Sequence, residues 1–541
     1  MTPRAPRAPT YGALLGAVII LLSTGLGTAQ PAPPSATSAA GDALRARLRT
    51  YRQEHEAEVL RELRDLVALP NLARDAPGIA ANAARLEEML GRRGLQTRLL
   101  ETADSPPAVY GHLVVPGATR TVVFYAHYDG QPVSPGDWST PAWTPVLRSG
   151  TLEAGAPVVP WDRLATPIPG EHRLYGRSTS DDKGPIVAFL AALDAIKASG
   201  VQPSVNVKIF LEGEEEAGSP HLSAMLTAHR DLLRADLWIF GDGPVHQTRA
   251  PLVSFGVRGT IDVELTTYGP VRAVHSGHYG NWAPNPAVAL VQLVASMRDD
   301  EGRMTINGVD RAVRPLSAGE QAAIAAQPPV DDAVAAALGL GRREQVRGTL
   351  ADSLTVPALN LRGLRAGEVG ERASNAIPTQ AQASIDFRLV PDLTPALIRG
   401  LVEAHVRRRG YHIVSDPPDE ATLRAHPRVV RLEWGPGYPG YRTSMDLPAA
   451  RAVVAAVQQA VGGPVVQVPN MGGSLPLYLF ADVLQSPVIS VPIVNHDNNQ
   501  HAANENLRLQ NLWDGVEIYG VLLARLGPEW DRAEAGRTTP R

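Results

Sequence analysis

The feature that most constrains this chain is a set of widely separated apolar runs, each followed at once by a histidine or a carboxylate. Val122-Val123-Phe124-Tyr125 leads to His127 and Asp129, and Val205 to Leu211 leads to Glu215 and Glu216. Leu237-Trp238-Ile239-Phe240 leads to Asp242, and Val488 to Ile493 precedes His501. Short apolar runs of this kind read as buried strands of an α/β sheet. The carboxyl ends of such strands open on one crevice, where ligands bind. Residues remote in sequence are therefore expected to converge on a single site. Two imidazoles beside several carboxylates make a donor set for divalent metal.

A chain of 541 residues exceeds what one core accommodates, so two or more domains are expected. Its net charge of -4, without a long basic run, argues against nucleic acid as a partner. The absence of cysteine excludes disulfides, thiolate zinc sites, a cysteine nucleophile and a lipid-anchored N-terminal cysteine. At the N-terminus, Arg4 and Arg7 precede an apolar stretch from Tyr11 to Leu22, and Gly27-Thr28-Ala29 offers a small-residue cleavage site. Residues 1–29 thus read as a signal peptide, its apolar core being short for a membrane span. An uncleaved anchor is the alternative reading. The expected product is exported, periplasmic or secreted, with no stable membrane span after cleavage. Residues 30–41, rich in Pro, Ala and Ser, read as a flexible linker outside the fold.

Beyond the linker, the pattern predicts helices over 42–69, 80–90 and 185–199, the last with Pro185 in its first turn and Gly200 at its stop. Strands are expected over 96–100, 108–115 and 121–125, and the Pro-, Gly- and Trp-containing stretch 136–169 reads as a long surface loop. From Pro251, strand-like 260–267 and 381–390 alternate with helix-like 286–297 and 394–409, which predicts a smaller α+β unit. The chain is expected to return to the first unit near Tyr441, with a helix over 448–461. The resulting division is 42–250 with 441–530 for the larger α/β domain, 251–440 for the smaller one, and 531–541 for a disordered tail.

The acidic run Glu212, Glu214, Glu215, Glu216 at a strand end is costly without a cation, because like charges repel. His127, His501, Asp181, Glu216 and Asp242 together carry three negative charges, balanced by two divalent ions and one hydroxide. A carboxylate shared by two ions implies a separation of roughly 3.5–4 Å. Water held between them becomes hydroxide near neutral pH, and a carboxylate that is not a ligand must take its proton; Glu215 is the candidate general base. Asp129 is placed to orient the His127 ring. Metal-assisted hydrolysis is the reaction class that follows.

The ordered segments HYDGQP from His127, STSDDKGP ending at Pro185, EGEEEAGS from Glu212, GDG around Asp242, HSGHYG from His275, GGSLP from Gly472 and the His501 segment resemble the M20 metallopeptidases, nearest in motif to the carnosinase-like dipeptidases. The resemblance spans about 45–525. It implies a di-metal aminopeptidase-like catalytic domain interrupted by a lid domain that also mediates homodimerisation. By this resemblance His127 and Asp242 hold one metal, Glu216 and His501 the other, and Asp181 bridges. Zn2+ is the expected ion, with Mn2+ or Co2+ as alternatives. The resemblance further implies a cis Asp181-Asp182 peptide, and that Glu215 passes its proton to the leaving amine. It assigns His275 to the oxyanion, often across the dimer, Arg388 to a substrate carboxylate, and Gly472, Gly473 and Ser474 to a substrate loop. Three departures stand out: Asn470 where many relatives have Arg, the long 136–169 segment, and Glu214 where an apolar residue is commoner. The function so implied is cleavage of dipeptides or short peptides through the di-metal-bound hydroxide. N-acyl-amino-acid deacylation on the same site is the first alternative, and a non-catalytic peptide- or metal-binding protein is the second.

Overall fold

The apolar runs lie side by side as strands. The computed structural model describes residues 36–344 and 347–536. An eight-stranded sheet has the order Gln96–Leu100, Ala108–Leu113, Asn206–Glu212, Thr121–His127, Leu237–Phe240, Val488–Ser490, Leu252–Ser254, Val466–Val468. Asn206–Glu212, Thr121–His127, Leu237–Phe240 and Val488–Ser490 are mutually parallel, so their carboxyl ends share one edge. Alternating side chains divide between two faces. Val122, Phe124, Ile209 and Ile239 pack under the helices Ala36–Val67, Lys183–Ala198, Pro448–Val461 and Leu509–Ala535. Val123, Tyr125, Phe210 and Trp238 pack under Leu222–Ala228 and Tyr478–Leu484.

A five-stranded sheet forms the lid, in the order Ala358–Arg365, Gln380–Leu389, Gly259–Tyr268, Val429–Tyr438, His412–Val414. One face buries Val263, Leu265 and Ile385 beneath Leu290 and Leu293 of the helix Pro286–Ala295 and Ile398 and Val402 of Pro395–Arg408. The chain leaves and re-enters the larger domain through one narrow crossing, where Gly256-Val257 pairs with Tyr441-Arg442. Glycine is required there: a Cβ on Gly259 would collide with the Tyr438 carbonyl and the Gly440 amide.

Several expectations change. Leu252–Ser254, placed by sequence in the 251–440 unit, pairs with Val488–Ser490 and Val466–Val468 and so belongs to the larger sheet. The signal-peptide segment 1–29 and linker residues 30–35 lie outside the described residues. Residues 36–41, read as linker, begin the helix Ala36–Val67; alanine is the best helix former, and Leu44 and Leu48 bury the next turns. At the other end the helix Leu509–Ala535 runs through the first part of the expected tail, where Arg120 contacts Asp531 and Glu534; residues 537–541 are outside the described residues. The 136–169 segment contains the strand Val146–Arg148, which joins Arg173–Tyr175 and Asn506–Arg508 in a small sheet. No helix of the described residues is long and apolar enough to cross a membrane.

Candidate active site

His127 ends its strand, and the backbone of Tyr128 donates to the Glu212 carbonyl at the end of the neighbouring strand (2.8 Å). This registers His127 against the acidic turn that follows. Asp129 links the two: its carboxylate stands 3.3 Å from His127 Nδ1 and accepts from the amides of Glu215 (3.1 Å) and Glu216 (3.0 Å). The turn Glu215–Ala217 closes on the Glu214 carbonyl, which accepts from the Ala217 and Ser219 amides. Gly218 takes φ 87, which favours glycine. The departure at Glu214 has a local explanation: its buried carboxylate accepts from the backbone and from Nδ1 of His221, both at 2.8 Å.

Asp181 lies two residues before the helix Lys183–Ala198 and is joined by a cis peptide to Asp182, the residue that caps it. The small sheet carries Glu505 beside this loop, because Asn506 pairs with Tyr175 and the Gly176 amide donates to the Glu505 carbonyl (3.0 Å). The fully buried Glu505 carboxylate accepts from the amides of Ser178, Ser180 and Asp181, the Ser180 hydroxyl and Arg177. Lys183 turns away from the site and donates from Nζ to the carbonyls of Leu66 (2.8 Å) and Leu69 (3.0 Å) at the end of the first helix.

Two triads follow: His127, Asp181 and Asp242, and Asp181, Glu216 and His501, the potential ligand atoms of each lying within 4.8 Å of one another. Asp181 belongs to both. Its Oδ1 lies 2.9 Å from His127 Nε2, and its Oδ2 lies 3.2 Å from His501 Nε2, which is also 3.3 Å from Glu216 Oε2. Gln500 donates to Asp181 and Gln131 to Glu216. Glu215 belongs to neither triad, yet its carboxylate comes within 3.9 Å of His127 Nε2.

Burial, then repulsion from Asp181, pushes the Glu216 carboxyl up to about 9 and that of Asp242 up to about 6. Burial also holds Glu215 well above the carboxylate range, with Asp242 and Glu216 adding to it against the attraction of His127. At Asp181 burial again opposes ionisation, but hydrogen bonds from His127 and His501 overcome it and hold the carboxyl low. A buried cluster whose carboxylates resist ionisation is short of positive charge. The mixed N and O donors and the shared carboxylate fit two divalent ions.

The cluster opens into a cleft of about 940 Å³ between the two domains. Gly472, Gly473 and Ser474 line it, while Arg388 lies just outside and donates to the Ser474 hydroxyl (3.1 Å) and to Asp386 (3.1 Å). His275 is not brought to the cleft. It is exposed at the end of Val274–His275, its Nδ1 accepting from the Gly277 amide.

Sequence reasoning missed Glu505, Gln131, Gln500 and Arg258. Glu505 shares a segment with His501, but nothing in its local pattern separates it from a surface acid. Arg258 has its Nε buried without a hydrogen-bond partner, and burial and the Arg388 charge both disfavour its charged form. Its backbone amide donates to the Gly473 carbonyl, which ties it to the glycine loop.

Comparison with known proteins gives a consistent picture. Residues 123–525 match the family described as Peptidase family M20/M25/M40. The chain is 24% identical over 466 residues to the Cys-Gly metallodipeptidase dug1 of Schizosaccharomyces pombe, covering 84% of this chain and 90% of that protein. It is 23% identical to the human Beta-Ala-His dipeptidase, over 95% and 97% of the two chains. Among solved structures, the M20 family metallo-carboxypeptidase Sso-CP2 from Sulfolobus solfataricus superposes with a TM-score of 0.69 at 25% identity, over 87% of this chain and 99% of the other.

Proposed function

The chain belongs to peptidase family M20/M25/M40, and from that premise we propose that it is a metal-dependent hydrolase of dipeptides or short peptides with a free carboxylate. The observation that carries this reading is Asp181 shared between two ligand triads, with Glu215 beside them and in neither. His127 and Asp242 would hold one ion, Glu216 and His501 the second, and Asp181 both. Zinc is the first choice and manganese or cobalt the alternatives. When bound, the ions supply Lewis-acid polarisation of the scissile carbonyl and of the attacking water.

The remaining work falls to this chain's own groups. Asp129 fixes the His127 ring and, through two amides, the position of the Glu215 and Glu216 backbone. Glu215 takes a proton from water as its oxygen adds to the carbonyl carbon, then delivers it to nitrogen as the C–N bond breaks.

The substrate carboxylate has a docking point despite Asn470. Two guanidinium groups, Arg258 and Arg388, share the single acid Asp386, which leaves one positive charge for a ligand. The lid strand Ala358–Arg365 is a sheet edge with Leu361 and Leu364 exposed, and Val288 and Val291 are exposed on the helix Pro286–Ala295. We assign this surface to a homodimer that carries His275 to the partner's oxyanion. Export to the periplasm or medium rests on residues 1–29 alone.

The test is a hydrolysis screen of the mature chain loaded with zinc, manganese or cobalt, against dipeptides and N-acyl amino acids. Amino-acid release that is abolished by chelator and by Glu215→Gln, with metal retained in the variant, supports the peptidase. Preference for N-acyl substrates moves the assignment to a deacylase, and metal binding without turnover moves it to a binding protein.

A further inference from the structure

The cleft is far larger than the metal cluster needs, and apolar side chains make up most of the lining of its extra space, with Gln321, Asp331, Arg347 and Asp352 interspersed. At about 940 Å³ it lies at the upper end of the roughly 300–1,000 Å³ typical of pockets for drug-sized ligands. The cluster contributes Asp181, Glu215, Asp242 and His501 to the lining. Much of the remaining lining comes from two stretches of the lid, 316–331 and 349–354, whose Ile324, Val330, Leu350 and Leu354 join Val257 and Met471.

This wall is fixed to the catalytic domain at three points. Arg442 at the domain crossing pairs with Glu320 (2.8 Å), both being buried, and Gln327 donates to the Gln467 carbonyl (3.1 Å). A Cβ on Gly472 would lie 3.2 Å from Leu354 Cδ2, so the wall rests directly on the glycine loop. Arg258, Arg388 and Tyr438, which gather beside Ser474, are not among the cleft's lining residues. A substrate whose carboxylate sits on the arginine side therefore projects its other half, the acyl side of the scissile amide, into the cleft.

We propose that this part of the cleft is an acyl-side subsite for a bulky apolar group, resting on the hydrolase reading above. The shared chemistry is an aliphatic or aromatic group attached to the carbonyl that is attacked. It can be supplied by a fatty N-acyl chain or by an apolar N-terminal residue. Small, polar acyl groups leave the wall wet and gain nothing from it.

The experiment is a substrate ladder on the metal-loaded full chain. One arm runs from N-acetyl to N-octanoyl amino acids. The other runs from Gly to Val, Leu and Phe at the first position of a dipeptide. Burial of apolar surface predicts a rise in kcat/KM of up to about fourfold per methylene, carried by KM, until the wall is filled. In Leu350→Ala/Leu354→Ala the long-to-short ratio falls about tenfold, and Leu350→Met/Leu354→Met restores it. The ratio within each protein separates lost preference from lost folding. A steep acyl arm identifies a deacylase and a steep peptide arm identifies a peptidase; either supports the subsite. Cleavage with flat ladders in both arms overturns it. If nothing is cleaved, the hydrolase reading falls, and calorimetry of the same ladders on the metal-loaded protein decides the subsite: tightening with chain length keeps it, and a flat series overturns it.

Discussion

Replacing Glu505 by Gln should damage the protein more than a substitution of comparable size within the triads, although Glu505 belongs to neither of them. Its Oε1 accepts from the Ser180 amide (2.9 Å), the Ser180 hydroxyl (2.8 Å) and the Asp181 amide (3.0 Å), while Oε2 accepts from the Ser178 amide (2.9 Å) and Arg177 Nη1 (2.9 Å). A glutamine that keeps its carbonyl toward Ser180 and Asp181 must turn its NH2 against the other two donors. Two charge-assisted hydrogen bonds are lost at roughly 1.5–3 kcal/mol each. The buried Arg177 also loses its carboxylate. Breaking a buried ion pair costs about 3–5 kcal/mol, the same range by an independent route. Displacement of the Asp181 loop by about 1 Å would lower turnover on the order of a hundredfold. Denaturant unfolding of the metal-free protein should show the stability loss, and metal titration should show weakened binding of both ions together. A Glu505→Gln protein within about 0.5 kcal/mol of wild type, with unchanged metal affinity, would refute the bracing role.

Other expectations are simpler. Arg258→Met should raise KM about tenfold or more for substrates with a free carboxylate and leave C-terminally amidated analogues unaffected, as steady-state kinetics on the paired substrates will show. His275→Ala and Glu215→Gln should each be nearly inactive, yet an equimolar refolded mixture should recover about a quarter of wild-type activity if His275 serves the partner's site; no recovery would confine each site to one chain. Asp497, beside Arg173, is held down to about 2 from 3.8, burial being outweighed by its hydrogen bonds. A depressed folded pKa gives stability that is present above pH 4 and lost as the pH falls through about 2. After screening of this partly exposed pair it amounts to about 1 kcal/mol or less, and Asp497→Asn should flatten that part of the acid unfolding curve.

The larger sheet was legible because its central strands are buried on both faces and read as unbroken apolar runs, with the polar site residues starting where the runs stop. The proximity of His127, Asp181, Asp242, Glu216 and His501 follows from that one regularity plus the motif order. The supporting groups were not legible. Glu505 acquires its meaning only when Asn506–Arg508 pairs with Arg173–Tyr175, a contact across more than three hundred residues. Arg258 looks like any strand-flanking arginine until its burial is known. Residues 36–41 were misjudged from composition, since an alanine-rich stretch without tertiary context fits linker and helix alike. The apolar wall at 316–331 and 349–354 was invisible because its side chains face a cleft, and short amphipathic helices carry the same pattern when they face a core.

The interruption of the catalytic sheet has a consequence for how the enzyme comes into being. Val488–Ser490 fills the place between Leu237–Phe240 and Leu252–Ser254, so a growing chain carries a split sheet until the whole lid and the helix Pro448–Val461 have been made. His501 and Glu505 emerge later still. Every shorter nascent chain therefore lacks both His501 and the carboxylate that braces Asp181. On the proposed reading, hydrolytic capacity arrives abruptly, only once residue 505 has been made, and a chain terminated before it is expected to be inert.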